Sequence, residues 1–295
     1  MKNQTLSRIR YLMSGISVLL LLASMLLVGF KGFNLGLDFT GGAYAEVVMA
    51  PDTEPRTLEQ ALTPVMGANL SVVATEPGRF LIRTGEPLDE VSRPAFNQAL
   101  TSIDADARVL DSDSVSPQVG EELFEQGGLA LLVALMCILG YLSLRFEWRL
   151  ASGALLALLH DVVLVLGVFA VTGMEFNLTV LAAVLAVLGY SLNDSIIIAD
   201  RMRELMIARP HDKLAEINNA AVVQTFSRTM VTSGTTLMTV GALWLLGGPA
   251  LEGFATAMVI GIVTGTFSSI SVGTVLPELL GLTPQALAKP VHESP

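Results

Sequence analysis

The sequence predicts a polytopic α-helical membrane protein with six transmembrane helices, arranged one plus five. A small α/β ferredoxin-like extracytoplasmic domain is predicted between the first and second helices. Of the 295 residues, 52% are hydrophobic and only 15% are charged, whereas soluble domains carry roughly 25% charged residues. The mean hydropathy is +0.62. The apolar residues lie in long runs with few or no charges, and about 20 such residues of helix cross a bilayer core.

The predicted spans are separated by one long polar segment. A cytoplasmic tail over 1–10 leads into a first span over 11–30, which is interpreted as an uncleaved anchor because no small-residue cleavage site follows it. The polar segment covers 31–126. The later spans cover 127–144, 150–173, 177–199, 221–247 and 253–277, with a cytoplasmic loop over 200–220 and a cytoplasmic tail over 278–295.

Basic residues predict the orientation, because Lys and Arg concentrate in cytoplasmic loops. They occur before the first span, between the second and third spans, between the fourth and fifth spans, and in the tail. These residues are Lys2, Arg8, Arg10, Arg145, Arg149, Arg201, Arg203, Arg209, Lys213 and Lys289. Both termini are therefore expected in the cytoplasm and the segment 31–126 outside.

The outer segment shows an alternation of short strands and helices. Strands are predicted over 43–50, 70–75, 79–84 and 108–110, and helices over 55–67 and 88–103. This β-α-β-β-α-β order is typical of ferredoxin-like domains. The segment holds 16 acidic and 6 basic residues, which accounts for the whole net charge of -10.

Several functional classes are disfavoured by composition. The single Cys137 excludes a disulfide framework and a thiolate zinc site. The acidic balance argues against nucleic-acid binding. No cofactor or metal is predicted, and there is no ATPase or hydrolase motif. An intramembrane serine hydrolase using Ser195 would lack a nucleophile elbow, and the residues that flank Asp161 and Asp194 do not support an aspartyl protease.

Charges inside the spans are the main candidates for function, because a central charge costs about 2.5–3.5 kcal/mol on insertion scales. Asp194 lies ~8–9 Å inside the end of the fourth span, and Arg228 lies ~10 Å inside the same face. The matched depths permit a pairing. A proton-coupling pair and a static ion pair are both consistent with the sequence.

Two further polar groups share these spans. His160 and Asp161 lie near the middle of the third span, where a proton relay and hydrogen bonding between helices are equally open. Asn193 precedes Asp194 as a supporting polar residue. The last span carries a small residue at every fourth position, which permits a close helix contact with a partner that the sequence does not indicate. These residues are Gly253, Ala257, Gly261, Gly265, Ser269 and Gly273.

Several motifs together resemble the SecF family of accessory subunits of the bacterial Sec translocon. The resemblance covers about residues 5–280, in order, with the one-plus-five arrangement. The motifs are Gly36–Gly42, Leu159–Val162, Gly189–Asp194, Asp200-Arg201, Ser227–Thr229, Thr232–Thr236, Gly247–Pro249, Gly265-Thr266 and Ser268–Ile270.

The resemblance implies a half-size member of the resistance-nodulation-division superfamily in the bacterial inner membrane. SecD is then the expected partner, together with the SecYEG channel, its accessory subunits, membrane lipid and the translocating preprotein. The resemblance also implies that the proton-motive force drives late export, that Asp194 and Arg228 couple protons, and that the outer domain is periplasmic. The alternatives are a half-size proton-coupled transporter of small molecules and a passive membrane scaffold.

Overall fold

The computed structural model describes residues 2–67 and 70–287. The chain divides into a helical unit (Met1–Asn34 with Leu131–Pro295) and a sheet unit (Leu35–Ala130). The end of the predicted tail, including Lys289, lies outside the described residues.

The sheet unit contains four antiparallel strands, β2 Gly42–Val48, β3 Leu70–Glu76, β4 Arg79–Thr84 and β5 Arg108–Val115. Their order in the sheet is β3-β4-β2-β5. The unit begins with a short helix, α2, and two longer helices, α3 and α4, connect its strands. The helices have the bounds α2 Leu37–Thr40, α3 Pro55–Met66 and α4 Ser92–Ile103.

The core of the sheet unit lies between the sheet and these two helices. Val47, Leu58, Leu62, Phe80 and Phe96 are all almost fully buried there. Alternate residues of β2 point into this core, as expected for a sheet that is buried on one face.

Two predicted boundaries in this unit were wrong. Helix α4 begins at Ser92, not at 88, because the Asp89 side chain accepts hydrogen bonds from the Val91 and Ser92 amides and forms a turn there. Strand β5 continues to Val115, not 110, because its polar half pairs with β2. The sequence did not indicate this pairing, because the residues after 110 are mainly Asp and Ser, not the β-branched and aromatic residues that are enriched in strands.

Backbone crowding explains the two adjacent glycines that precede β2. Gly41 and Gly42 have φ angles of 69° and 113°, in the range that favours glycine. A Cβ on Gly41 would lie 2.5 Å from the Pro117 Cα, and one on Gly42 would lie 2.3 Å from the Thr84 carbonyl oxygen. Any larger residue would therefore displace the start of this sheet.

Six helices of the described chain are long and apolar enough to cross a membrane. The last is interrupted at Ser271 and continues as a short helix, and two short strands and a 3₁₀ turn complete the unit. The bounds are α1 Lys2–Lys31, β1 Asn34–Leu35, α5 Pro117–Arg145, α6 Trp148–Thr172, β6 Glu175–Phe176, α7 Leu178–Ala208, α8 Leu214–Leu246, α9 Pro249–Ile270, α10 Val272–Leu279 and the 3₁₀ turn Pro284–Leu287.

Helices α6, α7 and α9 form the centre of the helical unit, and α1, α5 and α8 are largely exposed. The outer helices present apolar side chains such as Leu19, Leu132 and Trp244 on their surfaces. Large exposed apolar surfaces of this kind mark contact with lipid or with another protein.

The helices extend beyond the predicted spans. The loop predicted over 200–220 is reduced to 209–213, because α7 continues to Ala208 and α8 begins at Leu214. Charged residues end an apolar run, but they do not end a helix, whose backbone hydrogen bonds are internal. Pro210 accounts for the end of α7, since the residue before a proline disfavours helical geometry. The predicted span 253–277 is broken at Ser271, whose hydroxyl donates to the Phe267 carbonyl.

The small residues of α9 pack mainly against α7. A Cβ on Gly261 would lie 2.2 Å from Val187 Cγ2, and a Cβ on Gly253 would lie 2.8 Å from Val180 Cγ2. Ala257 and Ser269 are buried. Beyond the break at Ser271, Gly273 faces α6. A Cβ on Gly153 of α6 would lie 2.8 Å from the carbonyl oxygen of Gly273. The small-residue face of the last span therefore packs against α7, a partner that the sequence did not indicate. At Gly273, the last of these residues, the partner is α6.

The N-terminal helix is fixed by a buried arginine that had been assigned to the tail over 1–10. Arg10 lies inside α1 and is 0% exposed. Its Nε donates to Asn219 Oδ1 (2.9 Å), and its terminal nitrogens donate to Thr274 Oγ1 (3.0 Å) and Glu278 Oε2 (3.3 Å). Asn218 donates to the same Glu278 oxygen. This network joins α1, α8 and α10.

Gly261→Ala should destabilise the protein by about 1–3 kcal/mol, because overpacking costs this much and the branched Val187 side chain has little rotamer freedom. The measurement is the thermal unfolding midpoint in detergent. Gly241→Ala on α8 is the matched control, since nothing lies within 4 Å of a Cβ there. Equal midpoints for the two variants would contradict the α7–α9 contact.

Arg10→Gln should lower the amount of folded protein in the membrane, because losing one partner of a buried charge pair costs about 3–5 kcal/mol. The nearby Arg8→Gln should have little effect, since Arg8 is exposed. Quantitative immunoblotting and detergent unfolding check both variants. A loss that is equal in the two variants would indicate a general need for positive charge rather than this network.

Candidate functional site

A buried polar cluster joins α6, α7 and α9. Its centre is Asp161, which is 0% exposed. Asp161 Oδ2 accepts hydrogen bonds from the hydroxyls of Ser191 on α7 (2.5 Å) and Ser268 on α9 (2.8 Å). Asp161 Oδ1 lies 2.9 Å from Nδ1 of the adjacent His160. Both carboxylate oxygens are therefore occupied.

Close approach of the helices makes room for this cluster. A Cβ on Gly265 would lie 3.2 Å from Ser191 Cβ and 3.4 Å from Asp161 Oδ2. A larger residue at 265 would push α9 away from both groups. Two of the predicted features, the small-residue face and the polar third span, thus meet at one point.

His160 and Asp161 are not arranged as a Ser-His-Asp triad. The neighbouring hydroxyls donate directly to the carboxylate, whereas a triad places the imidazole between the hydroxyl and the carboxylate. His160 Nε2 is buried and has no hydrogen-bond partner among the described residues. Ser195, the nucleophile that was considered in the sequence, likewise has an unpartnered hydroxyl in this part of the chain.

Asp194 lies one turn beyond Ser191 on α7. It is 1% exposed, and neither of its carboxylate oxygens has a hydrogen-bond partner in the described residues. The Ser233 hydroxyl of α8 lies close to this carboxylate, and Arg228 of α8 acts on it through its positive charge. The Ser233 hydroxyl is engaged with Thr266 Oγ1 of α9 at 2.7 Å. Buried polar groups are almost always hydrogen-bonded, so Asp194 is exceptional.

The direct ion pair that the sequence allowed between Asp194 and Arg228 is not formed. Arg228 is exposed, whereas Asp194 is buried. The Arg228 side chain lines a cleft of about 520 Å³ between α7 and α8, which Asn193 also lines. The spacing along the two helices permitted the pairing, but it contained no information on the direction of each side chain.

The cleft is polar, and the Asp200-Arg201 motif forms part of its wall. Arg201 donates to Gln224 Oε1 of α8 and to Glu204 Oε2. Asp200 forms an ion pair with Arg145 of α5 at 2.6 Å. This motif therefore connects α7 to a helix on each side.

Sequence reasoning missed several functional candidates. Ser191 and Ser268 were present in the motifs but had no assigned role, and Arg10, Asn218 and Asn219 were placed outside the membrane helices. The sequence indicated Ser191 only by its position, since its hydroxyl lies three residues before Asp194, close to it on the same helix. No group of three or more His, Cys, Asp or Glu side chains in the described chain is placed to hold a metal ion.

Two family models match the chain. The model described as protein export membrane protein SecD/SecF, C-terminal, matches residues 95–281, and the SecD/SecF GG motif matches residues 26–51. The second match includes Gly41 and Gly42, whose backbone crowding is described above.

Curated relatives match most of the chain. The protein translocase subunit SecF of Vibrio alginolyticus is 42% identical over 282 residues, covering 94% of this chain and 90% of the relative. The SecF subunit of Pseudomonas aeruginosa is 41% identical, covering 88% of this chain and 86% of the relative. The SecDF subunit of Thermus thermophilus is 39% identical, covering 83% of this chain and 34% of the relative.

Solved structures give the same result. The crystal structure of SecDF from Thermus thermophilus, a translocon-associated membrane protein, matches with a TM-score of 0.82 and 36% identity, covering 94% of this chain. A SecDF structure in a super-membrane-facing form matches with a TM-score of 0.68 and 37% identity, covering 92% of this chain. The chain spans 38% of each of these SecDF chains. By sequence and by fold, the chain belongs to the SecD/SecF family of protein export membrane proteins.

Proposed function

We propose that this chain is a SecF-type subunit of the bacterial protein-export machinery. It acts with a SecD partner and uses the proton-motive force to promote preprotein translocation through the SecYEG channel. The relatives named protein translocase subunit SecF support the export role. The SecDF chains support the partnership, because this chain aligns with 34–38% of their length and a separate SecD half would supply much of the remainder.

The proposed topology places both termini in the cytoplasm of a multi-pass inner-membrane protein. The segment 31–126 is then a periplasmic domain of the ferredoxin-like type, supported by its β-α-β-β-α-β order and its strand order. The basic residues of the loop 209–213 and of the helix ends beside it support a cytoplasmic position for that end. The proposed membrane-spanning segments lie within the six long apolar helices, whose ends extend beyond the apolar runs of the sequence.

The observation that carries the proton-coupling proposal is the buried Asp194 carboxylate without a hydrogen-bond partner in the described chain. An ionised carboxylate in such a place is unstable unless a charge or proton compensates it. Arg228 supplies a permanent positive charge nearby, since arginine does not lose its proton in proteins. Asp194 is therefore the group that gains and loses the proton, and Arg228 biases that exchange from the cleft.

The cleft between α7 and α8 offers a cytoplasmic route towards Asp194. Its polar lining includes Asn193, which directly precedes Asp194, together with Thr225 and Arg228 of α8. A change in the charge of Asp194 alters its attraction to Arg228 and so favours a different arrangement of α7 against α8. This movement is the proposed link between proton transfer and the export cycle.

Asp194→Asn should assemble at wild-type levels but lose the stimulation of export that depends on the proton-motive force. The amide keeps the shape of the carboxylate and cannot exchange a proton at this site. The measurement is preprotein import into inverted membrane vesicles with and without a proton gradient. Glu216→Gln is the control, because Glu216 is an exposed acid at the start of α8 and is not among the residues that line the cleft.

Full gradient-dependent stimulation by Asp194→Asn would reject the proton-coupling role. The passive scaffold would then be the better account, since its export function does not require a titrating group. Loss of stimulation in both Asp194→Asn and Glu216→Gln would instead show a general sensitivity of the helical unit to charge removal.

A further inference from the structure

We propose that Asp161 is a positioning residue for Asp194, which holds the helices on both sides of that carboxylate in place. This inference rests on the proposed proton-coupling role of Asp194. Asp161 does not itself carry the proton in this proposal. It acts as a hydrogen-bond acceptor that fixes the rotation of α7 and the position of α9.

The first argument is the chemistry of the cluster around Asp161. Two hydroxyls donate to Oδ2, and His160 Nδ1 lies at hydrogen-bonding distance from Oδ1. Convergence of three potential donors is the arrangement that suits an acceptor-only group. His160 is the only charged or titratable side chain at hydrogen-bonding distance from Asp161 in the described chain, and the other hydrogen-bond partners are hydroxyls.

The second argument concerns the rotation of α7. Ser191 and Asp194 are three residues apart, which places them about 60° apart around the helix and ~4.5 Å apart along it. Ser191 is bonded to α6 through Asp161, while Asp194 faces Arg228 and Ser233 of α8. The Ser191 hydrogen bond therefore determines the direction in which Asp194 points.

The third argument concerns the opposite wall of the Asp194 site. Ser233 lies beside Asp194 and is bonded to Thr266 of α9. Two residues further along α9, Ser268 is bonded to Asp161. The α8 wall of the site is thus connected through α9 to the same carboxylate that orients α7. Both sides of the Asp194 site depend on Asp161, although Asp161 does not contact Asp194.

The substitution Asp161→Asn distinguishes a positioning role of Asp161 from a role in proton transfer. Its amide oxygen can accept from both serine hydroxyls, and its amide nitrogen can donate to Nδ1 of the other His160 tautomer. Asp161→Asn therefore keeps the contacts between helices and removes the titratable group. Leucine has a size similar to that of aspartate but cannot accept hydrogen bonds. Asp161→Leu therefore also removes the bonds to Ser191, Ser268 and His160.

The test is gradient-dependent preprotein import into inverted membrane vesicles, measured over a range of external pH and normalised to the amount of assembled protein. Asp161→Asn should retain most of the wild-type stimulation and its pH midpoint. Asp161→Leu should lower stimulation by roughly tenfold, because displacing a functional group by about 1 Å can cost up to ~10²-fold in rate. The pH midpoint of its remaining activity should move, because the surroundings of Asp194 change.

Asp161→Leu has a second test in case it fails to assemble. The double variant Ser191→Ala and Ser268→Ala removes two donors with minimal change in volume, and it should reproduce both the lower stimulation and the displaced pH midpoint. Ser269→Ala is the matched control, since Ser269 is also buried in α9 but, among the described residues, its hydroxyl bonds only to the Thr266 carbonyl of its own helix. Wild-type behaviour is expected for this control.

Three results would overturn the inference. Loss of stimulation in Asp161→Asn equal to that in Asp161→Leu would identify Asp161 as a proton carrier. A double serine variant with wild-type stimulation and pH midpoint would show that the cluster does not position Asp194. Lower protein levels in the double variant with an unchanged pH midpoint would assign the cluster to folding alone. If Asp194→Asn retained full stimulation, the proposed function would fail instead, which is a distinct result.

Discussion

The close approach of α9 to α7 is the constraint on which the rest of the helical unit depends. A Cβ on Gly261 would overlap the Val187 side chain, and a Cβ on Gly265 would lie in tight contact with Ser191. Without this spacing, Ser268 could not reach Asp161 across the interface, and Ser233 of α8 would lose its bond to Thr266. The small-residue face therefore does more than increase packing density. It brings polar groups of four helices within hydrogen-bonding distance of one another.

The buried charges of the helical unit fall into two kinds. Arg10 and Asp161 are surrounded by hydrogen-bond partners that match their donors or acceptors. Such groups hold helices together, because separating them would leave a charge without a partner in a low-dielectric interior. Asp194 is buried to the same degree but has no such partner among the described residues. Static stabilisation explains the first kind, whereas an unpartnered carboxylate is the feature expected of a group that changes its charge.

Much of the architecture followed from local patterns. The six apolar helices and the alternation of strands and helices in the sheet unit agree with the sequence, because each depends on periodicity within a short stretch. The ends of the elements were less accurate. Arg10, Asn218 and Asn219 were assigned to polar segments because polarity was taken to mean exposure, whereas the structure buries them against one another. A buried polar network cannot be distinguished from a solvated surface before the partners are known.

The sequence alone determined which residues were candidates, since a charged residue inside an apolar run is visible without knowledge of its partners. It also determined that one face of the last span is small enough for close packing. Tertiary structure decided which helix occupies that face, that Asp161 meets Ser191 and Ser268, and that Arg228 points into a cleft instead of onto Asp194. The physical reason is that a hydrogen bond requires its donor and acceptor atoms to lie within about 3 Å of each other. Partners distant in sequence are brought to that distance only by the packing of whole helices.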